Sequence, residues 1–553
     1  MSTTVTYPGA GVAADANIAT AIATAMADDK HVIIPANAND WTTDGPAGDG
    51  QVVVNGTFTV GTDWNLGLGW TIAAGAAHGA VGTESDLAAA VAPLTSGKRY
   101  RVSFQILNYV AGSLTPLCGT ALGTARSANG AFSELIIGNG TALALRKNAT
   151  FVGDVDNFSV TEDSPRFAIT MQAGLHIQID GNVLGRAGNF LGFRDCVIGA
   201  DKVDGWKLSG SGSVRMGGVT QFGTYAAPVA PYNAAVLGPS SPSEFRHVCS
   251  VRACDDWTIE GSLSFNGAGG DGLHVGASEP NQDSLHLQCT YYHVSGLTCN
   301  GNLRQGCSIL TGIDASLSNC IFSNTLGVAP QSGLDIEPEY DNLNNIADVI
   351  SNLTIYECQA FGNPSRDFFV NLSRMKLTSP PVILSYIRCR SRRSGSAQPW
   401  GWNLVNEPTA GAGPPSGTIT LVDCIADGLD KQALVIGRSG NTWRLDQGAK
   451  IIVRNFWSRD CGRLLAEKPI QLALGATAGT GERILFDRVR VTDRYARAAI
   501  VKVSAPANCT EVRGLVLLDP DRNQAQTGTF PYLTYKNAAY VRQRKLAPLT
   551  YGG

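Results

Sequence analysis

The sequence is poor in charged residues. Only 16% of its 553 residues are Asp, Glu, Lys or Arg, whereas about a quarter is usual for a globular chain. With 43 Lys and Arg against 46 Asp and Glu, the net charge is −3. This balance excludes a global basic field that would attract nucleic acid or anionic lipid, so any recognition of a polyanion must be local.

Long apolar runs and paired cysteine motifs are also missing. No stretch approaches the roughly 18 apolar residues of a membrane span, so membrane insertion is not expected. The start of the chain lacks a basic segment followed by a solid apolar core, and we expect no signal peptide. The 13 cysteines are odd in number and include no CxxC pair, which disfavours a disulfide framework and a zinc ribbon.

The sequence is rich in turn-forming residues and contains 63 glycines. It also contains a strand that repeats. Segments such as NLTIYEC, ILSYIRC and TITLVDC alternate apolar and polar residues and recur at intervals of 27 to 38 residues. A repeat of this length cannot bury its own apolar face and must stack on copies of itself. The eight segments end at Ser262, Cys289, Cys320, Cys358, Cys389, Cys424, Phe456 and Val489.

Most repeats contain a second short strand, as in DGLHVGA, QGCSILT and SGLDIEP. Strands joined by Gly and Asn turns without helices predict an all-β fold, a parallel β-helix. Equivalent residues of successive coils then lie about 4.8 Å apart, so the cysteines should form a buried ladder.

The first third of the chain has a different texture. Residues 13–28 predict a helix that caps the first coil, and HVIIPA predicts the strand after it. Short alternating strands from about 48 to 162 predict an inserted β-sandwich. The predicted units are the cap and first strand (1–47), the insert (48–162), the β-helix (163–518) and a C-terminal tail (519–553).

Alternation along the second strands predicts which side chains face outward. Aligning these strands on their glycines gives three columns. They are Gly272, Gly306 and Gly333; then Leu273, Cys307 and Leu334, which face inward; then His274, Ser308 and Asp335, which face outward. One further outward step places Glu337 beside Gly276 and Leu310.

The segment GLDIEPEYDN is the strongest candidate for chemistry, because Asp335 and Glu337 share a strand face in a chain with little charge. Two adjacent carboxylates repel each other when both are ionised. Three interpretations remain open: a general acid with its partner base, a site for calcium or another hard cation, and a solvated polar edge at which Pro338 ends the strand.

Neighbouring coils supply groups suited to β-elimination on a uronic acid. That reaction needs a cation that neutralises the sugar carboxylate and a base that removes the C5 proton. His274 and Tyr340 are the candidate bases and Arg304 is the candidate cation, although His274 can also be a turn histidine without a role. The expected substrate-binding residues are Asp271, Gln305, Glu339, Arg366, Asn371, Arg374 and Trp402, although Trp402 can also be a core residue.

Two stretches carry a family resemblance. ADANIATAIATAMADDKHVIIPAN resembles the start of the pectate-lyase-like superfamily, in which a helix and a strand cap a right-handed parallel β-helix. Residues 300–363 are similar to β-helix proteins that include polysaccharide-degrading enzymes and phage tailspike depolymerases. The resemblance implies a right-handed β-helix and a glycan-related role, but it does not fix the reaction.

The insert resembles carbohydrate-binding jelly-roll modules, through VNGTFTVGTDWNLGLGWTI at its start and VGDVDNFSVTE at its end. In that family an aspartate near such a DN pair helps to bind a structural calcium, which implicates Asp156. No other cofactor is expected. Trp64 and Trp70 are expected either to contact sugar or to lie in the core.

Together these observations predict a tailspike-like exopolysaccharide depolymerase that cleaves an acidic, uronic-acid-containing glycan from within by β-elimination. The alternatives are a glycoside hydrolase that uses Asp335 and Glu337, and a non-catalytic glycan-binding adhesin. The expected partners are an acidic polysaccharide and two further copies of the chain in a homotrimer, with no nucleic acid. The expected location is extracellular or on a phage tail.

Overall fold

The computed structural model describes most of the chain up to the last fifty residues. The described residues are 2–10, 12–45, 51–91, 93–163, 165–186, 190, 194–218, 245–278, 286–327, 329–341, 346–376, 378–395, 399–406, 415–437, 449–464, 468–473, 484–492, 501–504, 512–518 and 533–537. One α-helix, Asp15–Ala27, lies within them and buries Ile18, Ala21, Ile22 and Ala25. The predicted cap helix over 13–28 is therefore present.

A sheet of 24 strands, called here the long sheet, forms two sides of a coil. Its pairings from coil to coil are parallel. Its strands are Thr3–Thr4, His31–Ile34, Trp41–Thr43, His176–Ile179, Asn182–Gly185, Lys207–Ser209, Ser213–Arg215, Thr258–Ile259, Ser264–Asn266, His293–Ser295, Thr298–Asn300, Gly312–Ser318, Ile321–Ser323, Ile350–Tyr356, Gln359–Phe361, Val382–Ile387, Arg390–Arg392, Gly417–Val422, Ile425–Asp427, Lys450–Arg454, Trp457–Arg459, Ile484–Thr492, Val512–Leu518 and Leu533–Asn537.

A second parallel sheet of 11 strands, called here the cleft sheet, forms the third side. Its strands are Arg166–Thr170, Asp195–Asp201, Cys249–Arg252, Leu273–Gly276, Cys307–Ile309, Ser332–Ile336, Arg366–Asn371, Trp400–Val405, Leu434–Ile436, Ile470–Ala473 and Val501–Ser504. Each strand therefore pairs with its equivalent in the next coil. Parallel crossovers are right-handed in nearly all proteins, and the predicted right-handed parallel β-helix with an inserted sandwich is confirmed as the fold class.

The cysteine ladder is present in four successive coils. Ile321 pairs with Gln359, Gln359 with Arg390, and Arg390 with Ile425, so the cysteines just before them stack. Each has a backbone carbonyl of the preceding coil near its Sγ; the Sγ of Cys389, for example, lies 3.2 Å from the Ile355 oxygen. The ladder consists of Cys320, Cys358, Cys389 and Cys424, followed by Phe456 and Val489.

Two predicted members of the ladder are wrong. Thr298 pairs with Ile321 and Ser264 with Thr298, so Leu297 and Leu263 occupy the position assigned to Cys289 and Ser262. Ser262 lies one residue before the ladder position, which Leu263 occupies. Cys289 lies on the segment before the strand, next to the Thr290–Ile313 bridge. Leucine and cysteine both fill the corner because it requires only a compact apolar side chain.

The inserted sandwich consists of two antiparallel five-stranded sheets with a core of their own. One contains Trp64–Leu66, Ser85–Ala89, Leu114–Cys118, Ala121–Leu122 and Leu143–Lys147; the other contains Trp70–Ala73, Ala76–Gly79, Arg99–Ala111, Gly130–Ile137 and Val152–Glu162. Trp64 and Trp70 are each 4% exposed and belong to that core. Their burial indicates a role in packing rather than in sugar contact.

The insert interrupts the first coil. His31–Ile34 pairs with His176–Ile179, and Trp41–Thr43 pairs with the strand at Asn182–Gly185. The sandwich follows Trp41–Thr43 and precedes His176–Ile179 in the sequence. Its two ends lie next to each other, because Gln51 forms a bridge with Thr161. At the other end of the molecule, Leu533–Asn537 pairs with Val512–Leu518, so strand pairing continues into the predicted tail.

Candidate active site

The outward residues of the cleft sheet lie in the predicted columns. His274 pairs with Ser308, and Ser308 pairs with Asp335. The same register places Gly276, Leu310 and Glu337 in line, since their neighbours Val275, Ile309 and Ile336 are paired. The prediction that Asp335, Glu337 and His274 share one face of the solenoid is confirmed by this strand register.

Asp335 is buried, and the Gln305 side chain lies close enough to act on its carboxylate as a hydrogen-bond donor, which lowers its pKa. Burial raises the pKa of Asp335 well above its usual range, and the charge of Glu337 raises it further. The charges of Arg304 and Arg366 act in the opposite direction. The protonated form of Asp335 is therefore favoured far more than in a solvated aspartate.

The other carboxylates of this segment bind partners. Glu337 accepts a hydrogen bond of 2.7 Å from Asn371 Nδ2, and its carboxylate lies 3.9 Å from Arg374 Nε. Glu339 pairs with Arg374. Burial raises the pKa of Glu339, with Asp348 and Glu337 adding to the effect and Arg374 opposing it.

A cleft of about 490 Å³ lies over the earlier coils of the cleft sheet. Three of the predicted site residues line it: His274, Tyr340 and Glu339. Asp335 and Glu337 are not among its lining residues. The described lining consists of Pro165, Arg194, Cys196, Phe245, His247, Ser250, Arg252, His274, Gly276, Ala277, Ser278, His286, Leu310, Glu339, Tyr340 and Asp348.

The floor of the cleft contains two stacked histidines. The rings of His247 and His274 are 4.6 Å apart and 15° from parallel. The Asp271 backbone N–H donates to His247 Nδ1 at 3.0 Å, so the proton of the neutral ring resides on Nε2. Burial lowers the pKa of His247 well below its usual range, and the charge of His274 lowers it further. His247 is therefore neutral beside His274.

Behind the histidines, Asp271 connects the floor of the cleft to the next coil through an ion pair. Its side chain is fully buried, and Arg304 Nη1 lies 3.2 Å from its Oδ2. Arg304, the predicted neutraliser of the sugar carboxylate, is thus bound to a protein carboxylate. Asp271, predicted to bind substrate, holds Arg304 and His247 in place beneath the cleft.

A short excursion after Ser332–Ile336 forms one wall of the cleft. Its antiparallel pair is Tyr340–Asp341 with Ile346–Ala347. Asp348 anchors it, since its carboxylate accepts a hydrogen bond of 2.9 Å from the Glu339 backbone N–H and bonds His286 Nε2 at 2.9 Å. Lys376 Nζ lies 3.8 Å from the centre of the Tyr340 ring. Tyr340 is therefore held at the wall.

Several predicted substrate-binding residues belong to the protein's own packing. Trp402 is the clear correction: it is fully buried, faces inward and stacks on Phe368 at 4.7 Å, so no sugar ring can reach it. Arg366 is buried, and its Nε donates to Asn403 Oδ1 at 3.0 Å. Gln305 is also buried. The prediction that Trp402 binds substrate is wrong because this residue continues the inward column of Leu334 and Phe368.

Sequence reasoning missed five charged or histidine residues that line the cleft: Arg194, Arg252, His247, His286 and Asp348. Arg252 could have been found, because CSVR at 249–252 has the same alternation as LHVG at 273–276, and the two strands pair residue for residue. Arg194 and His247 precede their strands, and His286 and Asp348 lie on connections. No periodic signal marks those positions.

The structure gives no metal centre in its described part. No group of three or more His, Cys, Asp and Glu side chains there is placed to hold an ion. Asp156 accepts a hydrogen bond from the Asn157 backbone N–H at 2.6 Å, and calcium at Asp156 stays a prediction. Within the same ranges, no helix is both long and apolar enough to span a membrane.

Comparisons with known proteins give matches at the level of structure alone. No family model and no curated protein matches this chain. A double mutant of the tailspike protein of E. coli bacteriophage HK620, in complex with a pentasaccharide, is 9% identical with a TM-score of 0.42, over 66% of this chain and 57% of that one. The Agl-KA catalytic domain is 10% identical with a TM-score of 0.37, over 84% and 88%.

The match to the tailspike thus spans little more than half of that chain. At these identities and scores the matches assign neither a reaction nor a substrate to this chain. The chemistry must be inferred from the residues of the cleft.

Proposed function

We propose that this protein is a polysaccharide depolymerase that cleaves an acidic glycan by β-elimination in the cleft of the parallel β-helix. One observation carries the proposal: the two candidate bases, His274 and Tyr340, line the same cleft as Arg194 and Arg252. A base and a guanidinium in one cleft are the groups that elimination from a uronic acid requires.

In the proposed step, His274 removes the C5 proton of the uronate. The electron pair of that C–H bond forms the C4–C5 double bond, and the C4–oxygen bond of the glycosidic link breaks. The Tyr340 hydroxyl gives its proton to the leaving oxygen. Arg252, one coil from His274 on the floor, stabilises the negative charge that develops on the sugar carboxylate.

The test is a panel of uronic-acid polysaccharides, such as polygalacturonate, alginate and hyaluronan, followed together by ultraviolet absorbance and by release of reducing ends. Elimination produces both signals, because each cut creates an unsaturated uronate. His274→Ala and Tyr340→Phe should abolish both. His293→Ala and Tyr291→Phe are matched controls, since these residues are exposed on the long sheet's side of the coil. Reducing ends without absorbance would reject the lyase.

Hydrolysis is the second candidate, and the buried carboxyl of Asp335 beside Glu337 favours it. A carboxyl with a raised pKa can serve as a general acid, with its neighbour as base. In that case Asp335→Asn and Glu337→Gln would each abolish reducing-end release, while His274→Ala would leave most of it. If the wild-type protein binds glycans and cleaves none, the adhesin alternative takes the place of both enzymes.

We also propose virion association and a homotrimer for the intact protein, as expected from the resemblance to tailspikes. Light scattering measures the assembly directly. A monomer mass at micromolar protein would overturn the trimer without affecting the proposed reaction.

A further inference from the structure

A buried ion network joins the inserted sandwich to the cleft. Asp163 follows the last strand of the sandwich, and its side chain is fully buried. Its carboxylate lies 2.7 Å from Arg99 Nη2, 3.7 Å from Arg101 Nη2 and 3.5 Å from Arg194 Nε. One carboxylate is thus shared by three guanidinium groups, two of which come from the sandwich.

The guanidinium groups lie close enough to influence one another. Burial lowers the pKa of Arg101, and the charges of Arg194 and Arg99 lower it further, while Asp163 opposes them. Cations held together in this way create a positive potential at the adjoining surface. An anionic group of a ligand would be stabilised there.

Arg194 is the member of this network that lines the cleft. Its guanidinium carbon lies 5.5 Å from the centre of the Phe245 ring, which lines the cleft as well. The planar guanidinium of arginine matches the two oxygens of a carboxylate, which lysine cannot do as a point charge. Arg194 is therefore suited to select a carboxylated sugar over a neutral one.

We propose that Arg194 determines the specificity of the cleft for the acidic group of the glycan, and that Asp163 is a positioning residue that holds Arg194 for this role. The inserted sandwich thereby takes part in substrate selection through Arg99 and Arg101. This inference rests on the proposed glycan-binding function of the cleft.

The experiment measures binding of short oligo-uronates and of the same oligosaccharides with their carboxyl groups reduced to alcohols. Titration calorimetry on the full chain carrying His274→Ala avoids turnover. Arg194→Met should weaken oligo-uronate binding about tenfold or more, the size expected for a charged hydrogen bond, and should leave the reduced oligosaccharide unaffected. Arg388→Met is the matched control, because Arg388 is an exposed, ion-paired arginine between two strands of the long sheet.

Asp163 is tested by the split between KM and kcat on the cleaved polysaccharide. Asp163→Asn should raise KM several-fold with kcat within about twofold, and Asp163→Glu should restore part of the loss because it keeps the charge. Circular dichroism and thermal unfolding report whether each variant folds. If Asp163→Asn does not fold, Asp163→Glu tests the positioning role, and Arg194→Lys tests the planar group because it keeps the charge.

Two outcomes overturn the inference. One is an Arg194→Met protein that still prefers oligo-uronates as strongly as its parent. The other is an Asp163→Asn protein whose affinity for both oligosaccharides falls equally, which would make the role of Asp163 structural only. Failure of the proposed function is distinguishable. If the protein discriminates the two oligosaccharides through Arg194 but cleaves neither, this inference stands and the proposed enzymatic activity is rejected.

Discussion

The two faces of the cleft sheet differ in how their side chains change along the solenoid. One inward column of this sheet is apolar in eight successive coils: Cys249, Leu273, Cys307, Leu334, Phe368, Trp402, Leu434 and Ile470 are all fully buried. The outward face is polar in four successive coils, at Ser250, His274, Ser308 and Asp335, and then changes to Phe369, Asn403 and Val435.

This difference separates the residues that fill the coil from those that we propose to act on a ligand. The same strands carry both faces, so strand pairing fixes the spacing of the outward groups whatever their chemistry. The inward face must remain apolar to fill the coil. Substitutions on the inward face should therefore change the free energy of unfolding, and substitutions on the outward face should change activity.

The largest effect is expected from Trp402→Ala. Removing this fully buried ring should lower the free energy of unfolding by about 3–5 kcal/mol because it leaves a cavity. Urea unfolding measures it. Trp400→Ala is the control, since Trp400 is only partly buried and Arg366 and Lys431 contact its ring. An equal loss for Trp400→Ala would contradict the expected importance of the buried ring.

His274→Ala tests the outward face in the opposite sense. We expect at least a 100-fold loss of kcat, as for a general base, with little change in the midpoint of urea unfolding. The comparison variant is His293→Ala, which removes an exposed histidine bonded to Ser316 and should change neither quantity. A His274→Ala protein that unfolds much more readily than the wild type would place His274 with the structural residues.

The pH dependence of stability should reveal the buried carboxyl of Asp367. Burial raises the pKa of Asp367 to about 7, while hydrogen bonds from Ser391 and Asn363 oppose the shift. Because the folded pKa exceeds the unfolded value near 4, the folded state binds more protons between these values. The free energy of unfolding should then fall by about 1.4 kcal/mol per unit as pH rises from about 4 to about 7.

Asp367→Asn should remove most of that slope, as measured by urea unfolding at a series of pH values. Asp314→Asn, at an exposed position, should leave it unchanged. The same slope in wild type and Asp367→Asn would show that other groups, such as Asp335 on the outward face, dominate the titration.

The smallest effect is expected in the cysteine ladder. Cys389→Ala removes one buried sulfur and its contact with the Ile355 carbonyl, at a cost of about 1 kcal/mol. The midpoint of urea unfolding should shift slightly and activity should remain. Ser385→Ala, on the outer side of the neighbouring strand, should have no measurable effect, and a larger cost there than at Cys389 would reverse the expected order.

The solenoid and its columns were predictable because alternation and repeat length report strand faces directly. The register of His274, Ser308 and Asp335 follows from three glycines alone. The ladder was misplaced at Cys289 because residue identity was followed there instead of the register of the strand Thr298–Asn300, which Leu297 directly precedes. A leucine can replace a cysteine at a corner that requires only apolar volume.

The cleft itself was less predictable than the sheet beneath it. His286 and Asp348 meet across 62 residues of sequence, on segments with no period. Arg304 was expected to bind substrate, but it pairs with Asp271. Whether an outward charge meets solvent or another side chain depends on the connections above the sheet, and alternation contains no information about them.

The adjacency of Gln51 and Thr161 has a consequence for how such a chain can change. A unit whose two ends touch can be removed or exchanged by recombination without altering the spacing of the coils it interrupts. Because Arg99 and Arg101 of the sandwich share Asp163 with Arg194 of the cleft, the proposed role of Arg194 implies that exchanging the sandwich would alter ligand preference. The fold therefore combines a constant β-helix with an inserted sandwich that can be exchanged.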